Sequence, residues 1–143
     1  MNRYSKHSRG QLDTCHIDLR LVFETALPMY DHKILEGHRE EEGQDRAYRE
    51  GFSKVRWPDG NHNAKPSTAL DASPYPVLFP NPAAPEKDQR LRLFRFYHFA
   101  GFIAGVATQL GIALRWGGDW DSDHDFSDQT FNDLLHYELL KKG

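Results

Sequence analysis

Two segments of this 143-residue chain carry histidines and acids that could bind a metal ion together. The first runs HNAKPSTALD from His62 to Asp71, and the second, NDLLHYEL, contains Asp133 and His136. Two imidazoles and one carboxylate can hold a zinc ion and leave a fourth position open for water. A further acid beside them could transfer protons. These residue types indicate metal-assisted hydrolysis, although a chain with eight histidines also produces such pairs by chance.

The ligands predicted from these segments are His62, Asp71 and His136, which would leave the ion with a net positive charge. Such an ion can acidify water and polarise a carbonyl without a protein nucleophile. The sequence fits this chemistry because it has no GxSxG motif and only one cysteine, Cys15. We expect Cys15 to be an ordinary, half-buried helix residue.

Several further motifs occur in order along the chain and resemble a family of zinc peptidases. They are GFSKV at 51–55, NHN, KPS and ALD within 61–71, PYP at 74–76, and DLLHYE at 133–138. The segment Gly37-His38-Arg39 looks like the Gly-x-Arg segment of the same family. That family includes the VanY-like D-Ala-D-Ala carboxypeptidases and the phage endolysins that act as L-alanyl-D-glutamate peptidases.

The resemblance implies a role for each residue of the site. It implies zinc on His62, Asp71 and His136, Asp133 as the general base and acid, and Arg39 binding or polarising the substrate. The substrate would be a peptidoglycan stem peptide, and the protein would act as a phage endolysin in host-cell lysis. The fold would be of the Hedgehog/DD-peptidase-like type.

The chain departs from the family pattern at three points. Gly60 stands where the family often has a serine, and Lys65-Pro66-Ser67 lengthens the gap between the first histidine and Asp71. Asp133 replaces the glutamate of many relatives and is one methylene shorter. Its carboxylate must therefore lie closer to the water, or the ion must.

The residues taken alone leave three roles open. Residues three apart in a regular strand face opposite sides, so Asp133 and His136 converge only if the chain bends between them. Without such a bend, Asp133 would be a turn residue. Glu138 would share the face of His136, where it could orient the imidazole or be solvated. Arg39 could be a surface cation, or its guanidinium could bind a peptide carboxylate.

An acidic segment, GGDWDSDHDFSDQ, contains five aspartates between Asp119 and Asp128. It begins like an EF-hand loop but lacks the glycine at the sixth position and a closing glutamate, so it is not an EF-hand. Some phage endolysins of the related family are thought to respond to calcium through such a loop, and the resemblance therefore raises a calcium site here. The alternative that we prefer is a solvated loop with Trp116 and Trp120 packed beneath it.

The pattern of apolar residues predicts a small α+β domain with a central antiparallel sheet flanked by helices. The order of elements is not that of repeated βαβ units. Helices are expected over three segments: Ser8–Leu27, Glu40–Arg49 and Glu86–Leu110. The last helix should carry an apolar stripe formed by Leu91, Phe94, Phe102, Ile103, Val106 and Leu110. Strands are expected over four segments: Lys33–Glu36, Thr68–Asp71, Ile112–Trp116 and His136–Leu140. The segment Pro74–Pro85 holds five prolines and should be an irregular connection.

Bulk composition restricts the remaining possibilities. The length fits a single domain, 1–143, and a net charge of −3 gives no reason to expect nucleic acid or an anionic membrane as a partner. No apolar run could span a bilayer, and the N-terminus has no signal-peptide pattern. We therefore expect a monomer without stable membrane association. It would be made in the host cytoplasm and reach the periplasm and cell wall after holin release.

Two rival functions share the resemblance. A D-Ala-D-Ala carboxypeptidase would use the same ion chemistry and differ only in the shape of its pocket. A catalytically inactive, cell-wall-binding phage protein would keep the fold without the reaction. Competent residues at every ligand and base position argue against the inactive protein.

Overall fold

One antiparallel sheet organises the computed structural model, which describes residues 1–128 and 132–140. The helices are α1 (Lys6–Asp13), α2 (Ile17–Ala26), α3 (Glu41–Arg49) and α4 (Glu86–Gln109), and the strands are β1 (His32–Glu36), β2 (Ala69–Pro74), β3 (Leu114–Trp116) and β4 (His136–Leu139). Two short 3-10 helices lie at Asn61–Asn63 and Phe126–Asp128. The predicted α+β class and the four predicted strands are confirmed, with shifts of one to three residues at their ends.

The sheet has the strand order β1-β2-β4-β3, and each neighbouring pair is antiparallel. In the register of the two central strands, Asp71 lies opposite His136 and Leu70 lies opposite Tyr137. Leu70 and Tyr137 are buried in the core. Because successive side chains alternate between faces, Asp71 and His136 lie on the other face of the sheet.

The core fills the space between α1, α2, α4 and one face of the sheet. Its fully buried members include large side chains from each layer: Leu12, Leu19, Phe23, Ile34, Phe99, Ile103 and Tyr137. Burial of each side chain of this size contributes about 1.5–3 kcal/mol. The helices thus support the sheet from one side and leave its opposite face to polar residues.

The longest helix, α4, is confirmed, but its buried stripe is displaced from the predicted one. The buried residues are Phe96, Phe99, Ala100, Ile103 and Ala107, at spacings of three and four. Leu91 and Phe94, which we placed on the apolar stripe, are 51% and 61% exposed. Some apolar side chains in the first turns of α4 do not reach the core. The hydrophobic pattern alone therefore predicts the wrong face of α4 for packing against the core.

The predicted helix Ser8–Leu27 is instead two helices, with Cys15 in the break between them. Ser67 makes an isolated parallel bridge with Cys15: its carbonyl accepts from the His16 N–H at 2.8 Å, and its N–H donates to Thr14 O at 2.9 Å. Cys15 is only 3% exposed, so our expectation of a half-buried helix residue is wrong on both points. A distant segment supplies the backbone partners that end α1.

Gly117 joins the end of β3 to the polar face of the sheet. Its N–H donates to His136 O and its carbonyl accepts from the Asp133 N–H, both at 2.8 Å. A Cβ at this position would lie 2.1 Å from Asp133 O, a backbone atom that has no rotamer to change. We expect Gly117→Ala to lower the free energy of unfolding by about 1–3 kcal/mol, the cost of overpacking. Chemical denaturation measures this change.

Gly101→Ala is the matched control, because a Cβ at this position in α4 would meet open space. Alanine is a better helix former than glycine by about 1 kcal/mol, so this variant should be as stable as the wild type or slightly more so. Equal stability of Gly117→Ala and the wild type would show that the close approach at Gly117 does not constrain the backbone.

Candidate metal centre

Three different parts of the fold supply the predicted ligands. His62 lies in the 3-10 helix Asn61–Asn63, Asp71 lies in β2, and His136 is the first residue of β4. The backbone N–H of Arg39 donates to the His62 carbonyl at 2.7 Å. This bond connects the 3-10 helix to the segment that follows β1. The structure therefore brings together all three predicted ligands, which are separated by up to 74 residues in sequence.

The three ligand atoms are spaced as a tetrahedral ion requires. His62 Nε2 lies 3.3 Å from Asp71 Oδ1 and 3.2 Å from His136 Nδ1, and the remaining edge, from His136 Nδ1 to Asp71 Oδ1, is 3.6 Å. Zinc–ligand bonds of about 2.0–2.1 Å in a tetrahedron separate neighbouring ligand atoms by about 3.3 Å. The three atoms match one face of such a tetrahedron.

Hydrogen bonds at the far side of each ring identify the nitrogen that faces the site. His62 Nδ1 lies 2.8 Å from Gly37 O, which only accepts, so Nδ1 carries the hydrogen and Nε2 keeps a lone pair. His136 Nε2 lies 2.7 Å from Glu138 Oε1, which leaves Nδ1 for the site. Asp71 Oδ1 is buried and has no hydrogen-bond partner among the described residues. These observations fit a bound cation.

The electrostatics of the site favour positive charge. Burial would raise the pKa of Asp71, but the neighbouring His62 and His136 hold it well below its usual range. Burial would lower the pKa of His136, but its contacts with the carboxylates of Asp71 and Glu138 raise it to about 9. The negative charge of Asp71 thus stabilises a positive charge at this place, which a bound cation would supply.

Asp133 reaches this site because the chain bends, as we expected it must. Residues 134 and 135 form a turn, and the His136 N–H donates to Asp133 O at 3.1 Å. Burial, followed by repulsion from Asp71, raises the pKa of Asp133 to about 6. A bound cation would lower this value. A carboxyl group whose pKa lies near the working pH is suited to transfer protons.

Arg39 is not a surface cation, since its side chain is only 12% exposed. Its Nε and Nη2 donate to the two oxygens of Glu36 at 2.6 and 3.3 Å, and Nη1 donates to Gln44 Oε1 at 3.0 Å. Nη2 also lies 3.7 Å from Asp71 Oδ2. Arg39 is therefore held beside Asp71, a predicted metal ligand, and lines a groove over the site.

A groove of about 750 Å³ lies over the three ligands and Asp133. The helix α3 and residues 51–55 line one part of it, and Arg115 and Trp120 line another. Phe52 is 70% exposed in this groove. Concave clefts of about 300–1,000 Å³ are typical ligand-binding sites.

Sequence reasoning missed the residues that surround Glu138 and left the role of Glu138 open. Glu138 is 5% exposed and pairs with His136, so the solvated alternative is wrong. Its other oxygen accepts from Arg115 Nη2 at 2.6 Å and from Asn61 Nδ2 at 2.9 Å. Burial would raise the pKa of Glu138, but the bonds with His136 and Arg115 lower it to about 2. The alternation of side chains in β3 could have indicated Arg115, which lies opposite Glu138 in the register.

The sheet, the groove and the three-ligand cluster fit a metallopeptidase. A family profile described as phage L-alanyl-D-glutamate peptidase matches residues 1–140, and the chain belongs to that family. It is therefore an enzyme, a peptidoglycan hydrolase of the phage endolysin type, as the sequence motifs indicated.

Structural comparison agrees with this assignment. The L-Ala D-Glu endopeptidase ChiX of Serratia marcescens is similar over 97% of this chain and 91% of its own, with a TM-score of 0.63 and 22% sequence identity. At that identity the likeness establishes a shared fold. No curated protein matches the sequence significantly. Among the described residues, no helix combines the length and apolar character needed to cross a bilayer.

Proposed function

We propose that the protein is a zinc-dependent endopeptidase that cuts the L-alanyl-D-glutamate bond of peptidoglycan stem peptides during host-cell lysis. The observation that carries the zinc assignment is the 3.2–3.6 Å spacing of His62 Nε2, Asp71 Oδ1 and His136 Nδ1. Two imidazole nitrogens and one carboxylate oxygen in tetrahedral arrangement suit Zn²⁺ better than they suit calcium or magnesium.

Bound zinc supplies a Lewis acid that acidifies water and polarises the scissile carbonyl. In the proposed reaction, the Asp133 carboxylate accepts a proton from the attacking water and then donates it to the leaving amine. Arg39 binds or polarises the substrate. Among the described residues, Glu36 and Gln44 engage three of its five N–H donors, which leaves two for a substrate oxygen.

Two measurements on the purified protein test this function. Elemental analysis should find one zinc ion per chain, and mass spectrometry of digested peptidoglycan should find free L-alanine ends on the glycan-linked fragments. Loss of terminal D-alanine would instead identify a D-Ala-D-Ala carboxypeptidase. If zinc-loaded protein leaves peptidoglycan intact, the inactive, wall-binding alternative replaces the proposal.

We also propose that the chain works as one domain and as a monomer, in the periplasm and cell wall after holin release. The single-domain organisation is supported by the core, to which α1 near the N-terminus and β4 near the C-terminus both contribute. Size-exclusion chromatography with light scattering tests the monomer directly.

A specific observation also supports a calcium site in the acidic loop, as a second proposal. Carboxylate oxygens of Asp119, Asp121 and Asp123 lie within 4.8 Å of one another. Calcium–oxygen bonds of about 2.3–2.6 Å allow ligand atoms to lie up to about 5 Å apart. Asp119 is 7% exposed, and its Oδ1 has no hydrogen-bond partner among residues 1–128 and 132–140. Burial raises the pKa of Asp119, as do Asp121 and Asp123.

Asp119→Asn should weaken calcium binding at least about tenfold, because affinity depends on the number of charged ligands. Calorimetric titration of zinc-loaded protein with calcium measures this change. Asp45→Asn, on the exposed side of α3, removes one charge elsewhere and should leave calcium affinity unchanged. Wild-type protein that binds no calcium at millimolar concentrations would establish the solvated loop instead.

A further inference from the structure

Glu138 is a buried carboxylate whose two oxygens both contact charged or polar side chains around the metal centre. Oε1 accepts from His136 Nε2 at 2.7 Å. Oε2 accepts from Arg115 Nη2 at 2.6 Å and from Asn61 Nδ2 at 2.9 Å. Both oxygens are thus engaged, and Glu138 does not belong to the cluster of possible ligand atoms at His62, Asp71 and His136.

These contacts link separate parts of the metal site. Asn61 precedes His62 in the same 3-10 helix, so its bond to Glu138 joins the two segments that carry the histidine ligands. Arg115 comes from β3 and lies opposite Glu138 in the sheet. Glu138 therefore accepts hydrogen bonds from side chains of β3, of β4 and of the 3-10 helix that contains His62.

The imidazole ring of His136 is held by a hydrogen bond at one edge and by an aromatic contact on one face. Glu138 holds its Nε2 edge, and the ring of Trp120 lies 5.5 Å away between centroids at an interplanar angle of 35°. The Arg115 guanidinium lies 5.4 Å from the same Trp120 ring. Rotation of the imidazole would break the contacts with both Glu138 and Trp120.

We propose that Glu138, held by Arg115 and Asn61, is a positioning residue that makes Nδ1 of His136 the metal-binding atom. A carboxylate can only accept, so Nε2 must carry a hydrogen, and in the neutral ring that binds a metal Nδ1 then keeps its lone pair. Partners of this kind fix the tautomer and orientation of histidine ligands. This inference rests on the proposed function, because it concerns the same metal ion.

Glu138→Gln tests the proposal with almost no change of shape. Arg115 can only donate, so the glutamine oxygen should turn towards Arg115 and its amide N–H towards His136 Nε2. The ring nitrogen Nε2 would then accept and the ring proton would move to Nδ1, where it opposes metal binding. We expect zinc affinity to fall about 10- to 100-fold, as measured by competition with a chromophoric chelator at constant pH.

Two other variants distinguish positioning from loss of charge. Glu138→Asp keeps the charge and the acceptor-only chemistry, and should recover part of the lost affinity. Glu40→Gln is the matched control: Glu40 is an exposed glutamate 3.1 Å from Nε2 of His38, a histidine outside the metal site. The zinc affinity of the Glu40→Gln protein should stay within about twofold of that of the wild type.

A measurement on the wild type avoids any folding defect of the variants. Long-range ¹H–¹⁵N correlation spectra of the zinc-loaded protein should show His136 with metal-bound Nδ1 and protonated Nε2. Metal on Nε2, or Glu138→Gln protein that binds zinc as tightly as the wild type, would overturn the inference alone. A wild type that binds no zinc would overturn the proposed function itself, and the two failures are therefore distinguishable.

Discussion

Asp133→Asn should abolish peptidoglycan hydrolysis while the protein keeps its metal. The amide is nearly the same size as the carboxyl group but cannot accept a proton from water. Loss of a general acid–base group slows turnover by about 10²- to 10⁴-fold. The release of soluble stem peptides from purified peptidoglycan measures the rate, and elemental analysis measures the bound zinc.

Asp13→Asn provides the control for Asp133→Asn. Asp13 ends α1, its side chain is 51% exposed, and its nearest cations, Arg9 and Arg20, lie 3.9 Å away. Removal of the Asp13 charge should leave the rate of peptidoglycan hydrolysis unchanged. If Asp133→Asn retained more than one-tenth of the wild-type rate, another group would have to be the base. Loss of zinc from Asp133→Asn would make Asp133 a structural part of the metal site.

His62→Ala should lose both zinc and activity. His62 supplies one of the three proposed ligand atoms and is 4% exposed, and among the described residues the cluster contains no fourth His, Cys, Asp or Glu ligand. Metal-ion catalysis supplies several kcal/mol, and each 1.36 kcal/mol corresponds to a tenfold change in rate. We therefore expect a fall of about a thousandfold or more, with bound zinc reduced from one ion per chain to nearly none at micromolar zinc.

His98→Ala is the matched histidine control. His98 is exposed on α4, where its Nδ1 lies 2.8 Å from the Tyr30 hydroxyl, outside the metal site. This variant should keep zinc and full activity. Chelation of the wild type should reproduce the His62→Ala defect, and added zinc should restore the wild type but not the variant. A His62→Ala protein with one tightly bound zinc would remove His62 from the ligand set.

The proposed metal ligands could be identified from the sequence because the short segments that contain them resemble the motifs of a zinc peptidase family. His62 and Asp71 lie in one such segment, and Asp133 and His136 lie in another. The pairing of the two segments needed the fold, in which β2 and β4 become neighbours. From the sequence, Asp133 can approach His136 only if the chain bends between them. The turn at residues 134 and 135 provides this bend.

Contacts between distant segments account for what could not be predicted. The break at Cys15 depends on backbone hydrogen bonds to Ser67, and apolar spacing continues through the break because both helices pack on the same core. The partners of Glu138 lie 23 and 77 residues away at Arg115 and Asn61. Local periodicity places Arg115 on one face of β3, but it does not indicate which acid of another strand will lie opposite.

The pairing of Asp71 with His136 in the middle of the sheet restricts how the length of this protein can change during evolution. A single residue inserted into β4 between His136 and Tyr137 would shift the register by one, so that either the histidine would turn towards the apolar interior or Tyr137 would turn towards the groove. Insertions at residues 76–85 or 119–128, which lie between strands, would leave the register intact. New substrate preferences can thus arise by remodelling residues 119–128, of which Trp120 lines the groove, while the chemistry is inherited unchanged.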